Sequence, residues 1–88
     1  MFSKKITINH PYGLHARPAT YFIQKANEFK SNIDIIRDNR RVNAKSLLGV
    51  LSLGVVKGME ISIIANGPDE EQAVNALCEL VMNNLGDK

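Results

Sequence analysis

The residues best placed to do chemistry in this chain are Gly13-Leu14-His15-Ala16-Arg17-Pro18. A histidine stands at the expected entry to a helix, with an arginine two positions on and a proline just after. The first N–H groups of a helix have no intrahelical partner, and that end carries positive partial charge. It is therefore a natural site for anions, phosphate above all. Pro18 suits the first helical turn, where a missing N–H costs little and the fixed φ is already helical. Gly13 permits a sharp turn off the preceding strand. A histidine ordinarily titrates near neutrality, so His15 offers a neutral nucleophilic nitrogen at pH 7. Arg17 adds a permanent cation suited to phosphate oxygens. Together they describe a histidine that accepts a phosphoryl group within an electrostatic cradle. The same residues also fit a blander alternative, in which the histidine is a partly exposed surface residue or an improvised N-cap.

Ser46 is the second candidate. Serine is a leading N-cap residue, and a phosphoserine at a helix start gains from the dipole, so capping and phosphorylation are compatible. Leu47, Leu48, Val50, Leu51 and Leu53 follow it. That is more apolar surface than one face of so short a helix can hide. Either part of it is exposed as a docking patch, or the whole helix is buried. His10 reads as a solvated loop residue. Paired with His15 five positions away, with no cysteine or acid near, it makes a poor metal-ligand set. No metal or cofactor is expected.

Hydrophobic spacing supplies the elements that would position these residues. Phe2, Lys4, Ile6 and Ile8 alternate with Ser3, Lys5 and Thr7 as a half-buried strand. Asn9 to Gly13 is turn-like. Ala19, Phe22, Ile23, Ala26 and Phe29 recur at helical spacing, predicting a helix from Ala16 to Phe29. Ile33, Ile35 and Ile36 mark a second strand, Asp38-Asn39 a turn, and Arg41 to Ala44 a third strand, as a hairpin. The short apolar helix behind Ser46 should stop at Gly54. Met59 to Ala65 is a fourth strand, with Ile61 and Ile63 facing one way and Ser62 and Ile64 the other. Asp69 is placed as the N-cap of the last helix, with Glu70 and Glu71 in its first turn. That helix runs from Gln72 to Leu85 and carries Val74, Leu77, Cys78, Val81 and Leu85 as a stripe. Two strand-helix-strand-like halves predict a four-stranded sheet with all helices on one face.

The 88 residues suffice for one modest core, so a single domain over 1–88 is expected. A net charge of +2 is too weak to argue for nucleic-acid binding. The lone Cys78 precludes an internal disulfide and, in its helical pattern, reads as a buried structural thiol in a reducing cytosol. No signal-peptide pattern or membrane-length apolar run is present, so a cytoplasmic protein is expected.

Two separated segments, Gly13 to Ala19 and Val42 to Gly54, together with Lys57-Gly58 and the acidic start of the last helix after Gly67, resemble the HPr family of phosphocarriers. These belong to the bacterial phosphoenolpyruvate-dependent sugar phosphotransferase system. The likeness covers nearly the whole chain. It implies an α+β open-faced β-sandwich of order βαββαβα, an antiparallel four-stranded sheet with three helices on one face. It implies a carrier rather than an enzyme. His15 would take a phosphoryl group on Nδ1 from phosphorylated Enzyme I and pass it to IIA domains of sugar permeases. Arg17 and the N–H groups of Ala16 and Arg17 would hold the phosphate. Ser46 matches the regulatory site of the HPr kinase/phosphorylase, and Leu47, Leu48 and Leu51 would join the partner surface. The Gly49 and Ser52-Leu53-Gly54 pattern is similar to Gram-positive members, in which that serine serves a catabolite-control transcription factor. A catabolite-repression relative carries glutamine at the active histidine, so His15 argues against that branch. Tyr12 departs from the small polar residue usual there. Gln24 and Asn27 replace lysines of some members, which weakens electrostatic steering toward acidic partners. A carrier with a small exposed site is expected to be monomeric.

Overall fold

The computed structural model describes residues 1–11, 13–14 and 16–83. Seven elements follow in the order β1 (Phe2–Thr7), α1 (Ala16–Ala26), β2 (Asn32–Arg37), β3 (Arg40–Asn43), α2 (Leu47–Ser52), β4 (Glu60–Asn66) and α3 (Glu70–Met82). The strands form one antiparallel sheet of spatial order β1-β4-β2-β3. The expected α+β sandwich of βαββαβα order is what the structure shows.

Period-two alternation sets the two faces of the sheet. Ile33 and Ile35 of β2 and Ile61, Ile63 and Ala65 of β4 are buried under the helices. Ser62, Ile64, Asp34 and Ile36 point the other way, toward the open face. Phe22 and Ala26 of α1, Val50 of α2, and Val74, Leu77 and Val81 of α3 close the core from the helical side. Register places Lys4 opposite Ile63, on the helical side of edge strand β1. Its ammonium lies 5.9 Å from the Phe2 ring centroid. A charge pointing inward at an edge blunts pairing with another sheet.

Several boundaries differ from the sequence expectation for local reasons. Strand β3 covers Arg40–Asn43 rather than Arg41 to Ala44. Helix α1 ends at Ala26, three residues before Phe29. Asn27 turns its side-chain amide back onto the Ile23 carbonyl at 2.9 Å, a local bond that competes with helix continuation. Glu28 and Phe29 then donate three residues back, to Lys25 and Ala26. This tighter winding still delivers Phe29 to the core. Helix α3 starts at Glu70, not Gln72, because Glu70 N–H donates to the Gly67 carbonyl while Gly67 N–H donates to Glu70 Oε1. Leu85 lies outside the described residues.

Candidate functional site

The stretch after β1 is built to hold one turn firmly. Gly13 N–H donates to the His10 carbonyl at 2.9 Å, and Leu14 N–H donates to the Val55 carbonyl at 3.0 Å. Gly13 adopts φ +60. It packs so closely on the 55–56 backbone that a Cβ there would overlap the Val55 carbonyl oxygen and sit 2.7 Å from Val56 Cα. Only glycine meets both demands. Leu14 is wholly buried, and α1 begins two residues later at Ala16. Pro18 is buried in the first turn and Arg17 is exposed. His15 and Tyr12 lie outside the described residues, as does the side chain of Ala16.

His10 corrects the sequence expectation. It is buried, at 3% exposure, rather than solvated. Among the described residues no group of three or more His, Cys, Asp and Glu side chains could hold a metal. Among them, too, no helix is long and apolar enough to cross a membrane. Cys78 is half-buried rather than buried. Desolvation pushes its thiol up, against a smaller opposing pull from the Lys4 charge.

Ser46 caps α2 as its residue type predicts. It has extended backbone, and its Oγ accepts from Gly49 N–H at 3.2 Å. Behind it, Val50 and Leu53 are fully buried and Leu51 is half-buried against the core. Leu47 is 44% exposed and Leu48 81%. Complete burial of the apolar helix is therefore excluded. Its outer side is an apolar patch on a helix that packs against α1, so the Ser46 region and the start of α1 belong to neighbouring elements.

Sequence reasoning missed what holds the far end of α2. That helix has no basic residue in its last turn. The β2–β3 hairpin supplies the cations instead. Arg37 Nη1 donates to the Leu53 carbonyl at 2.5 Å, and Arg40 Nη1 to the Ser52 carbonyl at 2.7 Å. These satisfy carbonyls that a helix end leaves open and complement its negative pole. The available signal was the run of arginines around Asp38-Asn39. Lys45 Nζ likewise donates to the Phe29 carbonyl at 2.7 Å, tying the Ser46 corner to the exit of α1.

Asp69 was expected to cap α3, but its side chain makes no capping bond there. Its carboxylate instead accepts from Lys30 N–H and Ser31 N–H, both at 2.9 Å, and from Ser31 Oγ at 2.5 Å. These bonds, the Ser31 hydroxyl first, hold its pKa down at about 2. The clasp joins the segment just before β2 to the start of α3.

Comparison with known proteins agrees with this architecture. A family model described as "PTS HPr component phosphorylation site" matches residues 2–83. The phosphocarrier protein HPr of Buchnera aphidicola from Acyrthosiphon pisum is 42% identical over 85 residues, covering 97% of this chain and 99% of that protein. The HPr-like protein Crh of Bacillus subtilis is 40% identical over 85 residues, covering 97% of this chain and all of Crh. The crystal structure of HPr from Thermoanaerobacter tengcongensis superposes with a TM-score of 0.97 at 44% identity, over 100% of this chain and 99% of that one. A second structure from that organism is described as an HPr dimer.

Proposed function

The chain belongs to the HPr family of phosphotransferase-system phosphocarriers, and we propose from that premise that its phosphoryl acceptor is His15. A family member carries a phosphoryl group between proteins and is not itself an enzyme. In this reading the lone pair of His15 Nδ1 attacks the phosphorus of phosphorylated Enzyme I. The donor's P–N bond breaks as the new one forms, and the donor imidazole leaves with its electron pair. A IIA domain of a sugar permease then takes the group by the same exchange in reverse sense. The bonds made and broken are alike, so transfer is nearly balanced and each partner supplies most of the transition-state stabilisation. Arg17 and the N–H groups of Ala16 and Arg17 hold the phosphate oxygens at the helix start.

The observation that best supports this reading is the rigid seat of the turn. Gly13 and Leu14 are fixed on Val55 and Val56, shortly before α1 begins at Ala16. A carrier needs that precision without a deep pocket, because two different partners must reach the same atom. The exposed Leu47 and Leu48, with half-buried Leu51, serve as the apolar part of the docking surface. The carrier works as a monomer, with this surface open to Enzyme I or a IIA domain in turn.

Ser46 is the regulatory site, addressed by an HPr kinase/phosphorylase and read by a catabolite-control transcription factor. Its phosphorylation sets about −2 charge beside the leucine patch. That repels an acidic partner surface and slows loading of His15. Equal loading rates for the parent protein and Ser46→Asp would refute this.

The likeness to Crh together with the exposure of Leu48 favours one second reading. The chain would then be a regulatory module whose phosphate is a signal. Rapid return of the phosphoryl group to a IIA domain separates a carrier from such a module.

The test of the acceptor is incubation with Enzyme I and phosphoenolpyruvate, followed by intact mass and ³¹P NMR, with His15→Ala as control. One acid-labile phosphate on Nδ1, absent from the variant, is expected. No labelling by an Enzyme I that loads another HPr would overturn the proposal.

A further inference from the structure

The seat beneath the acceptor turn is itself held by an unusual contact. Residues 56–59 form a tight turn closed from both sides. Met59 N–H donates to the Val56 carbonyl at 3.1 Å, and Val56 N–H donates to the thioether sulfur of Met59 at 3.5 Å. The turn is also tied to the end of β1. Gly58 N–H donates to the Ile8 carbonyl at 2.7 Å, and Ile8 N–H to the Met59 carbonyl at 2.9 Å. Met59 is half-buried against the core, so its side chain has limited freedom to leave.

We propose that Met59 is a positioning residue for phosphoryl acceptance, its sulfur holding Val56 N–H and so fixing the two-residue seat on which Gly13 and Leu14 rest. The inference depends on His15 being the acceptor, as proposed above. The path is short. The sulfur fixes Val56. Val56 Cα stands against Gly13, with room for no Cβ between them, and the adjoining Val55 carbonyl receives Leu14 N–H. Position 15 is the next residue. A thioether is a weak acceptor but a polarisable and well-shaped one. It can hold a backbone N–H while its methyl group still packs on apolar neighbours.

Two substitutions at this position separate hydrogen bonding from packing. Met59→Leu conserves volume and apolarity but removes the acceptor. Met59→Gln keeps the unbranched shape and offers a carbonyl oxygen, at some cost to packing. We expect Val56 amide hydrogen exchange to quicken about fivefold in Met59→Leu, measured against the Ile61 and Ile63 amides of β4 as the reference for global opening. Transfer from phosphorylated Enzyme I slows with it, and Met59→Gln brings both back toward the parent. A packing role gives the opposite order, with leucine near the parent and glutamine worst. That order, or unchanged Val56 exchange in Met59→Leu, overturns the proposal. If the parent protein accepts no phosphoryl group, the function proposed above falls. The Val56 exchange series would still decide whether the sulfur holds the seat.

Discussion

Gly13 and Gly54 form a natural experiment on what the turn before the proposed acceptor requires. Both sit at nearly the same left-handed φ, +60 and +62. An alanine at either position incurs about 1–2 kcal/mol of backbone strain. At Gly54 little else happens, because the nearest atom to a new Cβ is Arg37 Nη1 at 3.9 Å, an ordinary van der Waals contact. At Gly13 the methyl group meets backbone on the opposing segment, with Val56 Cα only 2.7 Å away. Neither partner can rotate aside. The two segments must separate, opening the Leu14 N–H bond to Val55, and overpacking of this kind adds about 1–3 kcal/mol. The expected losses are therefore about 1–2 kcal/mol for Gly54→Ala and about 2–5 kcal/mol for Gly13→Ala. The second corresponds to a fall in Tm of at least about 10 °C for a domain of this size. Urea and thermal denaturation measure both, and Enzyme I-dependent labelling at a temperature where both variants are folded isolates the effect on the site. Labelling should fall sharply only in Gly13→Ala. Equal destabilisation of the two variants, or Gly13→Ala within about 0.5 kcal/mol of the parent, would refute the claim that close approach governs this turn.

Other outcomes follow from the same structure. Ser46→Ala is expected to lose about 1 kcal/mol of stability through the missing cap, while Ser46→Asp, which can still cap, keeps most of it; urea midpoints distinguish them. Leu48→Ser is expected to leave stability within about 0.5 kcal/mol while raising the KM for Enzyme I loading about tenfold; an unchanged KM removes Leu48 from the docking surface. Asp69 has a folded value of about 2 against an ordinary 3.8. The folded state therefore binds fewer protons between those values, and its stabilisation is complete above about pH 4 and lost as pH falls through 2. Asp69→Asn is expected to unfold more readily than the parent at pH 6, with the gap closing toward pH 2. A gap that stays constant over that range would show that the ionised carboxylate is not what matters.

What could be read from the sequence was mostly local. Ser46 as a cap, the stop at Gly54, and the inward alternation of Ile61 and Ile63 depend on residues a few positions apart, and all stand in the structure. The glycine turn at Gly13 and the place of Pro18 in the first turn of α1 were legible for the same reason. Long-range partnerships were not. Asp69 has the right type and place to cap α3, yet its carboxylate goes to Ser31 and Lys30, which the sheet brings within reach. The arginines around Asp38-Asn39 show that cations are at hand, but not that Arg37 and Arg40 serve the end of α2. His10 lies in a polar loop, and only the folded path of that loop buries it. A residue's type limits which bonds it can make, and topology chooses the partner.

The strand order has a kinetic consequence. Among the described residues, only β2 and β3 pair as a local hairpin. β1 pairs solely with β4, Phe2 opposite Ala65, so most of the chain must be looped before that ladder returns any energy. Such non-local pairing is a slow step in folding. Gly13 and Leu14 lie in the loop between β1 and α1, and their support at Val55 lies in the loop between α2 and β4. The two halves of the site meet only when the most distant strands do. A partly folded chain with only its hairpin formed thus lacks the contact between Gly13 and the 55–56 backbone, and the seat of the proposed acceptor appears with the last strand rather than before it.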